Sequence, residues 1–227
     1  MGMAMKSFLV IGLGRFGTSL CDKLVSLKQN VIGIDNKPGP VHDMADRIAV
    51  AAQLDATDET ALRKIGAKDV DVAVVTIGES VEKSILCTSM LSEMGIPLVV
   101  ARATNALHAK VLERVGAHKV IFPEKDMGSR CGELLVFPWY STFTKIGNGD
   151  FVLGNISPLP DMIGKDMAEL KFSQKYNVVV ILMEYGGKQH SPIASRPFEK
   201  DDRIWILGKM EDMDKLIKAE AADFKIS

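Results

Sequence analysis

Apolar and polar positions along the chain alternate between two periods. Phe8-Leu9-Val10-Ile11 is an unbroken apolar run, Phe16, Leu20, Leu24 and Leu27 then recur at helical spacing, and Val31-Ile32-Gly33-Ile34 is apolar again. The same rhythm continues. A short helix is expected from Val41 to Asp46 behind Pro38 and Pro40, a strand from Ile48 to Ala51, and a helix to Ile65 capped by Thr57 or Asp58. Next come a strand from Val70 to Thr76, a helix from Glu79 to Met94 and a strand from Leu98 to Ala101. Asn105 caps a helix to Val115, Val120 to Phe122 makes a sixth strand, and Glu124 opens a helix to about Leu135. Apolar strands separated by helices predict a doubly wound parallel sheet covered on both faces.

The pattern changes near Phe137-Pro138-Trp139-Tyr140, and Gly147-Asn148-Gly149-Asp150 reads as a turn or linker. Residues 1–140 are therefore expected to form one domain and 148–227 a small α+β lobe. In that lobe Phe151 to Ile156 and Val178 to Met183 read as strands, with a short helix at Asp166 to Leu170 between them. Gly186-Gly187 fits a hairpin turn, Arg203 to Leu207 alternates as a strand, and Met210 to Glu220 closes as an amphipathic helix. A lobe of that size is marginal alone and is expected to pack on a copy of itself or on the first domain.

Composition changes this picture little. The 227 residues are 47% hydrophobic with a formal net charge of -1, an ordinary globular balance. No basic cluster gives an electrostatic footprint for nucleic acid. The start of the chain lacks a signal-peptide core and no apolar run approaches a membrane span, so a cytoplasmic protein is expected. Cys21, Cys87 and Cys131 are isolated and fall in helical patterns, which favours reduced, packed thiols over disulfides or zinc.

The chemistry concentrates where the first strand breaks into Gly12-Leu13-Gly14-Arg15-Phe16-Gly17 and resumes as a helix. A strand ending in Gly-x-Gly-x-x-Gly brings backbone N–H groups and a positive helix terminus to one point, where a pyrophosphate can sit. Gly12 allows the turn, Gly14 the approach of phosphate, and Gly17 close packing of helix on strand. Asp35 ends the second strand at about the ~20-residue distance expected of a ribose-binding carboxylate, and Asn36 follows it. Together these predict a Rossmann-like nucleotide site that disfavours a 2′-phosphate.

Four further positions fall at the same edge. Arg15 opposes the helix dipole, so it either meets a phosphate oxygen or is simply solvated. Asp55, in Asp55-Ala56-Thr57, is either a ligand group or a helix cap. Thr76-Ile77-Gly78 ends strand four, where the missing side chain of Gly78 would let adenine or ribose come close. Arg102 meets either phosphate or a carboxylate. No proton donor suited to enzyme chemistry follows a strand end: His42, His108, His118 and His190 fall elsewhere. An oxidoreductase or redox sensor using NAD(H) is the alternative reading, and a transcription regulator is disfavoured because no helix-turn-helix is visible.

These motifs, and above all Phe122-Pro123-Glu124-Lys125-Asp126-Met127-Gly128, resemble an RCK (KTN) nucleotide-binding domain over residues 6–136. The tail from about 150 to 220 is similar to the C-terminal lobe of cytosolic regulatory subunits of Ktr/Trk-type bacterial potassium uptake systems. The resemblance implies a non-enzymatic gating subunit, peripheral to the inner membrane face, beneath a membrane potassium-channel subunit. It implies that Gly12, Leu13, Gly14, Arg15, Phe16, Gly17, Asp35, Asn36, Asp55, Ala56, Thr57, Thr76, Ile77, Gly78 and Arg102 hold ATP, ADP or NAD(H). It further implies a divalent cation (Mg or Ca) at Glu124, exchange of the helix from Gly128 to Leu135 between protomers, an octameric ring of dimers, and cyclic di-AMP at the C-terminal lobe of some members.

Overall fold

The computed structural model describes residues 4–147 and 149–218; Asn148 of the expected turn and residues 219–220 of the expected last helix lie outside the described residues. The chain divides into two compact units, with the boundary in the sequence between Met127 and Gly128.

The first unit runs β1 (Ser7–Ile11), α1 (Arg15–Ser26), β2 (Asn30–Asp35), α2 (Pro38–Met44), β3 (Val50–Gln53) and α3 (Glu59–Lys64). It continues with β4 (Val72–Val75), α4 (Val81–Glu93), β5 (Leu98–Arg102), α5 (Ala106–Arg114), β6 (Lys119–Ile121) and the start of α6 (Pro123–Val136). The strands form one parallel sheet in the order β3-β2-β1-β4-β5-β6. Alternate side chains of β1 serve opposite faces. Leu9 and Ile11 join Leu62, Leu91 and Leu112 under α3, α4 and α5, while Val10 joins Cys21, Leu24 and Met44 under α1 and α2. Each such side chain taken fully from water contributes roughly 1.5–3 kcal/mol before entropy is charged against it. The chain winds from β1 to β2 and β3 on one side and then returns to β4 on the other. The loops after β1 and β4 therefore diverge and open a crevice at the carboxyl edge.

Several boundaries differ from the sequence expectation for local reasons. Helix α2 starts at Pro38 rather than Val41, because the first-turn N–H groups of a helix lack partners anyway and Pro38 and Pro40 forfeit nothing there. Strand β3 lies two residues later than expected, pairing Val50 with Ile32 and Gln53 with Asp35.

The second unit carries β7 (Phe143–Lys145), β8 (Phe151–Ile156), α7 (Phe172–Tyr176), β9 (Val178–Tyr185), β10 (Lys188–His190), β11 (Arg203–Lys209) and α8 (Met210–Lys218). Its antiparallel sheet has the order β10-β9-β11-β8-β7 and packs Val152, Val180 and Ile206 with Met213 and Leu216 of α8. Gly186 and Gly187, at φ 58° and 70°, close the β9–β10 hairpin. The helix expected at Asp166 to Leu170 is a turn instead. The Asp166 carboxylate accepts from the N–H groups of Ala168 and Glu169, both at 2.8 Å, a local bond that competes with helix. The helical residues are Phe172–Tyr176, bracketed by left-handed Lys171 and Asn177. Helix α6 buries no side chain, and Leu135 and Val136 are 84% and 66% exposed.

Candidate functional site

At the carboxyl edge of the first unit's sheet lies a cleft of about 590 Å³, the size of an ordinary small-molecule site. Its floor is the glycine turn. Gly12 sits at φ +99°, and its N–H donates to the Ile34 carbonyl at 2.8 Å, tying the turn to β2. A Cβ on Gly17 would lie 1.9 Å from the Gly12 carbonyl oxygen, so only glycine lets α1 pack this close. Thr76 Oγ1 lies 2.5 Å from the Gly12 carbonyl and 2.9 Å from that of Ile11, sharing its proton between them and fixing the turn from β4.

Gly14 is different. It is the N-cap of α1, with extended backbone and no side-chain cap, and a Cβ there would meet nothing within 4 Å. The first turn of α1 thus has no side-chain cap, and Gly14 and Arg15 line the cleft at the positive end of a 12-residue helix. Arg15 stands exposed there, without a carboxylate partner among the described residues.

Asp35 does two jobs in the fold. Its Oδ2 accepts from Leu13 N–H at 2.7 Å and its Oδ1 from Lys37 N–H at 2.9 Å, which clamps the glycine turn to the end of β2. Each oxygen keeps a second lone pair for a ligand hydroxyl. Asp55 is not the cap of α3; that role belongs to Asp58, which accepts from Ala61 N–H. Asp55 instead accepts from the N–H and hydroxyl of Thr57 and from Lys83 Nζ at 2.9 Å. The Thr57 backbone bond, followed by the Lys83 bond, lowers its carboxyl to about 2.

At the other end of the cleft, the space left by Gly78 is taken by Arg102. A Cβ on Gly78 would lie 2.4 Å from an Arg102 guanidinium nitrogen, so the glycine admits this side chain where the sequence suggested adenine or ribose. Arg102 also donates to the Thr76 carbonyl at 3.4 Å and to both carboxylate oxygens of Glu124, at 2.7 and 3.4 Å. Of the two alternatives open for Arg102, the carboxylate is the one engaged.

The cleft thus brings together Gly12, Gly14, Arg15, Asp35, Asn36, Asp55, Ala56, Thr76, Ile77, Gly78 and Arg102. Leu13, Phe16, Gly17 and Thr57 do not line it. Leu13 is buried under the sheet with Gly33 at its side chain, and Gly17 packs on the turn. Lining residues that sequence reasoning missed are chiefly Lys37, Glu79 and Lys83. Lys37 and Glu79 join across the mouth at 2.8 Å. Only the sheet order, which sets β2 and β4 on either side of β1, brings them together.

Among the described residues, no histidine or cysteine lines the cleft. Burial pushes the thiols of Cys21 and Cys87 up to about 11 and about 12, whereas Cys131 is exposed on α6, so the packed-thiol expectation fails for Cys131. Among the described residues, no group of three His, Cys, Asp or Glu could hold a metal ion. Glu124 contributes one carboxylate, already paired with Arg102, and this chain's residues do not by themselves fit a divalent cation there. No described helix is long and apolar enough to cross a membrane.

The family model of the TrkA-N domain matches residues 8–123, and that of the TrkA-C domain residues 155–220. The chain is 30% identical over 214 residues to Ktr system potassium uptake protein C of Bacillus subtilis (strain 168), covering 94% of this chain and 96% of that protein. In fold it resembles the solved structure "GsuK channel bound to NAD", with TM-score 0.56 and 21% identity over 96% of this chain and 39% of that one. It also resembles "Crystal structure of the GsuK bound to ADP", with TM-score 0.50 and 25% identity over 57% of this chain and 34% of that one. The chain thus spans less than half of either solved chain.

Proposed function

This chain belongs to the TrkA-N domain family and carries a TrkA-C domain, and from that premise we propose that it is a nucleotide-binding regulatory subunit of a potassium uptake system. The observation that carries the reading is the amino end of α1, without a side-chain cap, at Gly14 in a cleft where Asp35 stands beside the same glycine turn. That pairing suits an adenine nucleotide. The α1 N–H groups and Arg15 would hold phosphate, Asp35 the ribose hydroxyls, and the Leu54–Ala56 wall the base. ATP, ADP and NAD(H) all offer that chemistry, and "GsuK bound to ADP" is a solved relative in fold.

Regulation is a population shift: only a ligand with unequal affinity for two arrangements of paired chains moves the equilibrium between them. The exposed apolar end of α6, at Leu135 and Val136, supports pairing of copies through that helix. An octameric ring beneath a membrane potassium-channel subunit, and a peripheral place at the membrane, follow from the family premise and belong to the same proposal. So does cyclic di-AMP at the second unit. A cation near Glu124 would need ligands beyond this chain's own, from phosphate oxygens or a second copy, and no step is assigned to it. Nothing in the cleft favours the oxidoreductase alternative: its titratable lining groups are Asp, Glu, Lys and Arg, and those of Asp55, Glu79 and Arg102 are tied in ion pairs.

Native mass spectrometry of the purified chain tests this reading by reporting subunit number and retained ligand together. An even-numbered assembly carrying an adenine nucleotide is expected. A monomer that takes up no added nucleotide would overturn it.

A further inference from the structure

Of the four histidines only His108 is buried, at 3% exposure in the first turn of α5, and it does not line the cleft. Its partners fix its protonation. Nδ1 accepts from Thr104 N–H at 3.3 Å and lies 3.2 Å from the Thr104 hydroxyl, so the proton of the neutral ring is assigned to Nε2. Nε2 is buried and has no hydrogen-bond partner among the described residues. Asn105 completes the turn. Its side chain caps α5 by accepting from His108 N–H at 2.9 Å, and its carbonyl accepts from Ala109 N–H at 3.0 Å. The ring thus holds the turn between β5 and α5 from inside. Thr104 in that turn lies two positions after Arg102, the cleft residue that ends β5.

A second proton on this ring has no favourable place. It would go on Nδ1, donor against the Thr104 N–H donor, and its charge would lie at the positive end of α5. The packed elements supply no compensating carboxylate. The buried face of α4 is Ser84, Cys87, Thr88 and Leu91, of which only the Cys87 thiol titrates, pushed up to about 12 by burial. Glu82, Lys83 and Glu93 of α4 and Lys119 of β6 are exposed or half-buried, and Arg102 of β5 is paired with Glu124. On α5 itself Lys110, Glu113 and Arg114 are exposed. Burial accordingly lowers the imidazole from its ordinary 6.5.

We propose that His108 is an acid-operated latch: neutral, it holds the β5–α5 turn closed; protonated, it leaves its pocket, and the turn opens and releases the Arg102 end of the cleft. The sign follows from linkage. An opened turn exposes an ordinary imidazole, which takes up a proton near 6.5, whereas the closed one resists. Closure is therefore independent of pH above about 6.5. Below that value each pH unit raises the open population by up to about tenfold, until the closed ring itself titrates. The connection to the cleft rests on the nucleotide-binding reading above; the latch itself does not.

The test is amide hydrogen exchange of the full chain, read by mass spectrometry on peptides spanning Ala103 to Ala109 and corrected for the intrinsic rate. It is run at about pH 7.5 and about pH 5.5, one unit either side of the ordinary histidine value. The wild type is compared with His108→Asn, whose side-chain oxygen can still accept near the Nδ1 position but does not titrate. Wild-type protection is expected to fall about threefold or more at the lower pH, and that of His108→Asn to stay level. Unchanged protection in the wild type, or an equal fall in the variant, overturns the latch. Should the variant not fold, the NMR titration of the wild-type His108 ring decides: a midpoint at or above the ordinary value overturns it. Adding ADP at about ten times its dissociation constant should raise the protection of the turn about tenfold. Unchanged protection in a chain that binds ADP overturns the connection to the cleft alone. If the wild type binds no ADP, the nucleotide reading fails, and the exchange profile still judges the latch.

Discussion

Replacing Gly14 with alanine separates the two demands placed on the glycine turn. Gly14 has φ -74° and ψ -173°, a conformation open to any residue, and the added methyl would meet nothing within 4 Å. The fold should lose little, about 0.5–1 kcal/mol from a poorer N-cap residue. Gly14, however, lines the cleft at the first turn of α1, so a methyl there takes room from a phosphate held by that turn. Crowding a ligand phosphate there is comparable to overpacking, about 1–3 kcal/mol. At 1.4 kcal/mol per tenfold, ADP should bind about 5- to 150-fold more weakly. The assay is calorimetric titration with ADP beside urea unfolding. Far-UV circular dichroism must follow the unfolding, because both tryptophans, Trp139 and Trp205, lie in the second unit and would not report on the first. A folded Gly14→Ala chain with unchanged ADP affinity would refute the assignment of phosphate to this turn.

Other consequences follow from the same geometry. Gly17→Ala places Cβ against the Gly12 carbonyl, and urea unfolding should show a loss of about 2–4 kcal/mol in the first unit, the range of a strained, overpacked site. Arg15→Ala should act with opposite signs: without ligand the first unit gains about 0.3–1 kcal/mol as a cation leaves the helix amino terminus, yet discrimination between ATP and ADP shrinks; unaltered discrimination would count against the phosphate role. Asp55 has its folded carboxyl lowered from 3.8 to about 2, so its contribution is present above the unfolded value and is lost as pH falls from about 3.8 through about 2. Asp55→Asn should flatten the stability profile in that window, and an unchanged slope in acid titration would contradict the pairing with Thr57 and Lys83. In thiol labelling at mildly alkaline pH, Cys131 should react first, with Cys21 and Cys87 reacting only on unfolding; fast labelling of all three would contradict their burial.

What the sequence revealed, and what it hid, divides along physical lines. The six-fold strand and helix alternation was legible because each apolar strand is short, unbroken and followed by helical spacing. The glycine turn was legible because Gly12 and Gly17 answer backbone demands that no other residue meets. Asp35 was placed by its distance from that turn. Side-chain partnerships between distant elements were hidden. Lys37 and Glu79 are ordinary surface charges 42 positions apart, Lys83 and Asp55 are 28 apart, and only the strand order brings each pair to the cleft. The filling of the space over Gly78 could not be read either, since a missing side chain says that something approaches and not what. In the second unit, helical spacing around Asp166 to Leu170 gave no sign that the Asp166 carboxylate would bond its own backbone. Nor did it show that Lys171 would turn left-handed and delay the helix to Phe172.

The central claim is that the amino end of α1 and the Asp35 carboxylate together hold an adenine nucleotide. Equilibrium dialysis of the intact chain against labelled ATP, ADP and NADH tests it most directly. The account predicts saturable uptake approaching one nucleotide per chain, abolished by Asp35→Ala in protein that keeps its helical dichroism. Absence of saturable uptake of all three by the folded wild type would contradict it.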